Sequence, residues 1–155
     1  MTKDSPGFLP EEDYKRVLEL VPVACVDVVV TLGNKFLLGK RINEPGKGLW
    51  WIPGGRVFKG ETLEETAIRK IMEELGFETR REGFEILTAK ETIFENSAID
   101  GVSSHTINSV FLLRLNEKPV INLENSDFSE TKWLDFIDGE LHPYLKFVLD
   151  KAGFK

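Results

Sequence analysis

The sequence predicts an α/β fold in which a mixed β-sheet is packed between helices. Strand-like segments outnumber helical ones, a strongly periodic helix lies mid-chain, and one further helix lies at each end. No low-complexity linker or internal repeat divides the 155 residues, and 41% hydrophobic content suffices for one core. Residues 1–155 are therefore expected to form a single domain.

In chain order, "LPEEDYKRVLELVP" reads as a short helix. Pro10 suits its first turn, the acidic residues that follow suit its positive end, and Pro22 stops it. "VACVDVVVTLGNKFLLGKR" reads as a β-hairpin, with β-branched residues on the first arm and a turn at Gly33-Asn34. "NEPGKG" is a loop, and "LWWIP" a short apolar strand leading into Gly54-Gly55. Residues 61–75 form the clearest helix, ended by Gly76 in a C-terminal cap position. The strands "GFEILTAKETIFE" and "HTINSVFLLRLN" follow, separated by the polar loop "NSAIDGVSS". A last strand at "TKWLDF" precedes a terminal helix in "GELHPYLKFVLDKAG".

Composition narrows the function classes. A net charge of −6 argues against general nucleic-acid binding, which shows a basic footprint. An anionic small molecule can still be held where a metal and a few arginines reverse the local field. The longest apolar run, "LVPVACVDVVVTL", is broken by Pro22 and Asp27, so no membrane span is expected. "MTKDSPGFLPEEDYK" lacks the apolar segment of a secretory signal, and the lone Cys25 precludes an internal disulfide. Both fit a cytoplasmic protein.

On a helical wheel with Leu63 at zero, Leu63, Ala67, Ile71, Leu75, Ile68 and Met72 fall between about 0° and 180° and are expected to face the core. Glu65, Arg69 and Glu73 fall on the other side, and Glu74 near about 20°, at the seam. A carboxylate at a seam is partly desolvated, which suits a metal ligand. The Glu65–Arg69–Glu73 spacing also describes an ordinary solvated helix face. What shifts the balance is the preceding Gly54-Gly55, which lets backbone approach a ligand and can offer a carbonyl to a hard cation.

From Gly55 the chain reads Gly, five residues, Glu61, seven residues, Arg69, Lys70, Ile71, Met72, Glu73, Glu74, Leu75, Gly76, Phe77. This resembles the Nudix box, G-x5-E-x7-R-E-U-x-E-E-x-G-U with U a bulky apolar residue, departing only where Lys70 replaces a Glu. The resemblance implies the Nudix fold, an α/β/α sandwich around a mixed sheet. It also implies a hydrolase of nucleoside diphosphate derivatives that uses a divalent metal, Mg²⁺ or Mn²⁺. Lys70 can pair with Glu73 or Glu74 but cannot bind a cation, so a single metal ion is expected.

Residues 20–135, and "FLLGKRINEPGKGLWWIPGGRVFKGETLEE" above all, further resemble the GDP-mannose mannosyl hydrolase subfamily. That likeness implies water attack at C1 of the sugar of GDP-mannose or GDP-glucose, with GDP as leaving group. Carried over, Gly54, Glu74 and Asp127 would hold the metal. Arg56 and Arg69 would face the diphosphate, with Glu73 and Glu74 beside them, and Asp27, Arg41 and Arg56 would contact substrate. The subfamily places a Gln-His pair before the Trp-Leu of its last strand; Asp127 and Phe128 stand at those positions here. Phe128 cannot act as a base. His105, His142, Glu91, Glu95, Glu124 and Glu130 are the candidates that remain. Of Trp50-Trp51, one ring is expected in the core and the other on the opposite face. Phe94 and the loop 96–104 are candidates to border the pocket.

Two other readings stand beside this one: a pyrophosphatase that cleaves a nucleotide sugar or similar compound at phosphorus, and a non-catalytic nucleotide-binding sensor. The expected partner in each is a small nucleoside diphosphate derivative. The amphipathic "EEDYKRVLELV", together with the dimeric state of the subfamily, predicts a homodimer. Light scattering at micromolar concentration is expected to give twice the chain mass; a monomer mass would refute it.

Overall fold

The computed structural model describes residues 3–155. The chain runs α1 (Glu11–Leu20), β1 (Val23–Leu32), β2 (Lys35–Arg41), β3 (Trp50–Trp51), β4 (Gly54–Arg56), α2 (Leu63–Leu75), β5 (Phe84–Phe94), β6 (Ser104–Leu115), β7 (Phe128–Leu134) and α3 (Pro143–Lys151). The sheet is built around β1, which is buried at every residue from Val26 to Thr31. A strand buried on successive residues is covered on both faces, which is why its apolar run does not alternate. β1 pairs in parallel with β6 along its length, and every other pairing is antiparallel, so the sheet is mixed as expected.

The hairpin between β1 and β2 forms, but it closes only at Thr31–Phe36 and Leu32–Lys35. Beyond that the arms splay, and β4 takes the edge of β1 that β2 leaves, setting Asp27 opposite Gly54 and Cys25 opposite Arg56. The glycine pair is thus part of a strand, not only a turn. A Cβ at Gly54 would overlap the Asp27 carboxylate, and one at Gly55 would lie 2.8 Å from Cε of Lys70. Both glycines are required by side chains that cross them.

The buried face of α2 is rotated from the wheel's expectation. Leu63 and Met72 are exposed, whereas Thr66, Ala67, Lys70, Ile71, Glu74 and Leu75 are buried. The buried arc is centred about 60° from the apolar one, because the helix packs a charged pair against β4 as well as its aliphatic stripe against the sheet. Its ends follow the sequence. Thr62 and Glu65 form a reciprocal capping box, and Gly76 closes the helix in the left-handed region at φ 76°.

β7 begins at Phe128, ahead of the expected "TKWLDF". The Phe128 ring is buried directly over Gly39 of β2, where any Cβ would overlap it. On α1, Leu18 packs with Val23 and Val102 of its own chain, with Tyr14 and Val17 against them, while Leu20 and Val21 are exposed. Much of the apolar side on which a dimer was expected is therefore used within the chain. Among the described residues no helix is long and apolar enough to cross a membrane.

Gly39→Ala should lower the unfolding free energy by about 1–3 kcal/mol, since overpacking forces ring or backbone aside. Adding Phe128→Leu should recover part of that loss. Urea denaturation checks both, and an unchanged midpoint for Gly39→Ala would show that the ring is not fixed there.

Candidate active site

A cavity of about 410 Å³ opens between α1, β4, the middle of α2, β1, β5, β6 and the loops after β2 and β5. Its charged wall comes from the Gly54-to-Glu74 segment. Arg69 donates from Nε to Glu61 at 2.7 Å, from Nη2 to Glu61 at 2.9 Å and to the Arg56 carbonyl at 2.9 Å, and from Nη1 to Glu73 at 3.3 Å. Its guanidinium also lies 3.6 Å from the Phe58 ring centroid. The Arg69 hydrogen bonds hold the Glu61 carboxyl below the usual range. Arg69 lines the cavity as expected, but its donors are committed to fixing α2 against β4. Glu61 and Glu73 are its partners; Glu65 serves the cap instead.

Lys70 is buried, and its ammonium donates to Glu73 at 2.9 Å and to Glu74 at 3.0 Å. Burial opposes the charge, yet the Glu74 and Glu73 carboxylates outweigh it and hold the lysine pKa above its ordinary value. Glu74 is only 3% exposed, and its second oxygen accepts from the Ser126 hydroxyl at 3.3 Å and the Asp127 amide at 3.1 Å. Asp127 lines the cavity and accepts from Asn43 at 2.7 Å. Among the described residues, no three His, Cys, Asp or Glu side chains gather where a metal ion could be held. With an ammonium already on one Glu74 oxygen and two donors on the other, these residues as arranged do not fit a divalent cation.

The remaining wall carries Arg41, Arg56 and Asp27. Arg56 donates to the Gly7 carbonyl at 2.6 Å and lies 4.9 Å from the Phe58 ring; Arg41 donates from Nε to the Pro45 carbonyl at 2.8 Å. Asp27 accepts from the Tyr144 hydroxyl at 2.5 Å. Burial pushes its carboxyl up to about 6, against the opposing pull of Tyr144, Arg41 and Lys70. Tyr144 stacks on Trp51, which borders the cavity beside Phe94, while Trp50 lies under Lys132 with the ammonium 4.0 Å from its ring. The two tryptophans divide as strand alternation requires.

Alternation also removes the candidate bases. Thr92, Phe94, Ser104, Thr106 and Asn108 line the cavity, which leaves Glu91 and His105 to the other sides of their strands, and Glu95, just past the end of β5, does not border it. The His142 Nδ1 accepts from the Tyr144 amide at the N-terminus of α3. Neither it nor Glu124 nor Glu130 borders the cavity, whose carboxylates are Asp27, Glu44, Glu73 and Asp127. In the loop 96–104, Ser97 and Ala98 reach the cavity, but Val102 anchors it to α1.

Sequence reasoning missed Tyr144, Asn108, Thr92 and Thr106. The polar residues at every second position of "SHTIN" are a signal that could have pointed to the cavity face of β6. Nothing in the sequence marks Tyr144, which comes from the far end of the chain.

The family description "NUDIX domain" matches residues 21–151. The chain is 34% identical over 144 residues to the low-salt glycan biosynthesis protein Agl8 of Haloferax volcanii, covering 92% of this chain and 89% of that one. It is also 34% identical over 149 residues to an ADP-ribose pyrophosphatase of Methanocaldococcus jannaschii, covering 95% and 80%. A MutT NUDIX hydrolase from Burkholderia pseudomallei superimposes with a TM-score of 0.70 at 25% identity, over 85% of this chain and 98% of that one.

Because the folded Asp27 carboxyl sits near pH 6, above its unfolded value, the unfolded chain ionises first as pH rises. Stability should therefore fall between about pH 4 and 6, by up to about 3 kcal/mol, and then level off. Asp27→Asn should abolish that slope. Denaturant unfolding across this range measures it, and parallel curves for the two proteins would refute the shift.

Proposed function

The chain belongs to the NUDIX family, and on that premise we propose that it hydrolyses the diphosphate of a nucleoside diphosphate joined to a sugar, with water attacking phosphorus. NUDIX hydrolases typically use a divalent metal. The observation that carries the choice of phosphorus over carbon is the burial of Phe128. The carbon-directed reaction of the GDP-mannose subfamily places a histidine base at this position, and here a phenyl ring fills the core over Gly39. Among the described residues no histidine borders the cavity.

The related ADP-ribose pyrophosphatase supports cleavage within a diphosphate, and the glycan biosynthesis protein supports a sugar-bearing substrate. Arg56 and Lys70 stand on the wall where negative charge would build on the leaving phosphate, and preorganised cations are worth most in such a partly dry site. Arg41 and Asp127 border the same space, and Trp51 and Phe94 offer ring surface to a base or sugar. Asp27 borders the cavity without a salt-bridge partner among the described residues. With its pKa near 6 and its orientation set by Tyr144, it is suited to accept a proton from the attacking water.

The test is hydrolysis of ADP-ribose and GDP-mannose in ¹⁸O-water, with and without Mg²⁺, followed by mass analysis of both products. The expected outcome is nucleoside monophosphate plus sugar phosphate, with label in a phosphate. Label in free mannose beside unlabelled GDP would replace this reading with attack at C1. Binding without turnover would make the protein a sensor.

A further inference from the structure

We propose that Lys70 is a resident cation: its ammonium takes the place of a divalent ion among the box carboxylates and gives its remaining donor to the diphosphate of a bound nucleotide. The diphosphate part of this rests on the function proposed above; the cation part does not.

The charges support it first. Glu61, Glu73 and Glu74 against Arg69 and Lys70 sum to one net negative charge in the ion-paired cluster. A glutamate at position 70 would bring the same five positions to about three negative charges, which a divalent ion returns to about one. The lysine reaches that sum alone.

Sterics point the same way. The Lys70 side chain runs across Gly55, and a Cβ there would lie 2.8 Å from Cε and 3.2 Å from the ammonium nitrogen. Strand β4 is therefore shaped around the lysine, and the ammonium is set between two carboxylates at 2.9 and 3.0 Å. Glu74 offers an ion no free side, because Ser126 and the Asp127 amide hold its other oxygen. An ammonium has three donors. Two are spent on Glu73 and Glu74, and Lys70 borders the cavity beside Arg56. The third donor is available to a phosphate oxygen.

The experiment uses the full chain. Mn²⁺ alone is titrated and followed by electron paramagnetic resonance. The wild type is expected to bind Mn²⁺ at least 10-fold more weakly than Lys70→Glu, which should take up one ion per chain and gain thermal stability with it. In EDTA, ADP or GDP should bind the wild type with an affinity that Mg²⁺ changes less than 3-fold, and Lys70→Met should weaken it at least 10-fold. If Lys70→Met fails to fold, Lys70→Met with Glu74→Gln removes both charges and serves in its place. One tight Mn²⁺ per wild-type chain, lost in Glu74→Gln, would overturn the proposal. So would nucleotide binding that requires Mg²⁺. Absence of nucleotide binding under every condition would refute the diphosphate function instead, and the Mn²⁺ comparison would still decide the cation.

Discussion

An acidic helix cannot be pressed against a sheet unless its charge is answered where the water is removed. In this fold the ion-paired cluster of Lys70, Glu73 and Glu74 meets that constraint. Lys70 and Glu74 are both buried, and removing one member of such a pair leaves the other charge dry and short of its countercharge, at a cost of about 3–5 kcal/mol. Arg69 extends the same solution outward, tying Glu61, Glu73 and the Arg56 carbonyl together. Of these bonds, the one from Arg69 to the Arg56 carbonyl joins α2 to β4, while the others lie within the helix and its approach and let its charged side be buried.

Glycines convert this electrostatic arrangement into a sheet geometry. At Gly54 the strand passes over Asp27, and at Gly55 it passes over Lys70. A side chain at either place would push β4 off β1, and the cavity wall would move with it. Gly39 plays the corresponding part on the far arm, admitting the Phe128 ring that shuts the core beneath β7. Packing interiors have little slack, so these contacts define where the charged groups stand.

The cavity that results is bordered by Arg41, Arg56, Arg69 and Lys70, by Asp27, Glu44, Glu73 and Asp127, and by the uncharged Thr92, Thr106 and Asn108. The Trp51 and Phe94 rings border it as well. The uncharged groups are bonded to one another: the Thr92 and Thr106 hydroxyls meet at 2.6 Å, and Thr106 donates to Asn108 at 2.9 Å. Asp27 borders the same space, its pKa raised by burial and its carboxylate oriented by Tyr144.

How much of this was legible in the chain depends on the range of the interaction. The α/β class, the capped helix over 61–75 and the Gly54-to-Gly76 box were readable, because caps, turns and strand propensities act between near neighbours. Lys70's choice of Glu73 and Glu74 was readable too, being set by one helical turn. The burial of that cluster was not, because it depends on a strand that folds back from Gly54 onto β1. Nor was the contact between Asp27 and Tyr144, which lie 117 residues apart, or the loss of His105 to the wrong face of its strand. By itself the sequence determined the family, the helix and its charges. Only tertiary structure decided which of those charges are dry and which carboxylate faces the cavity, because desolvation is a property of what packs around a group and not of the group's neighbours in the chain.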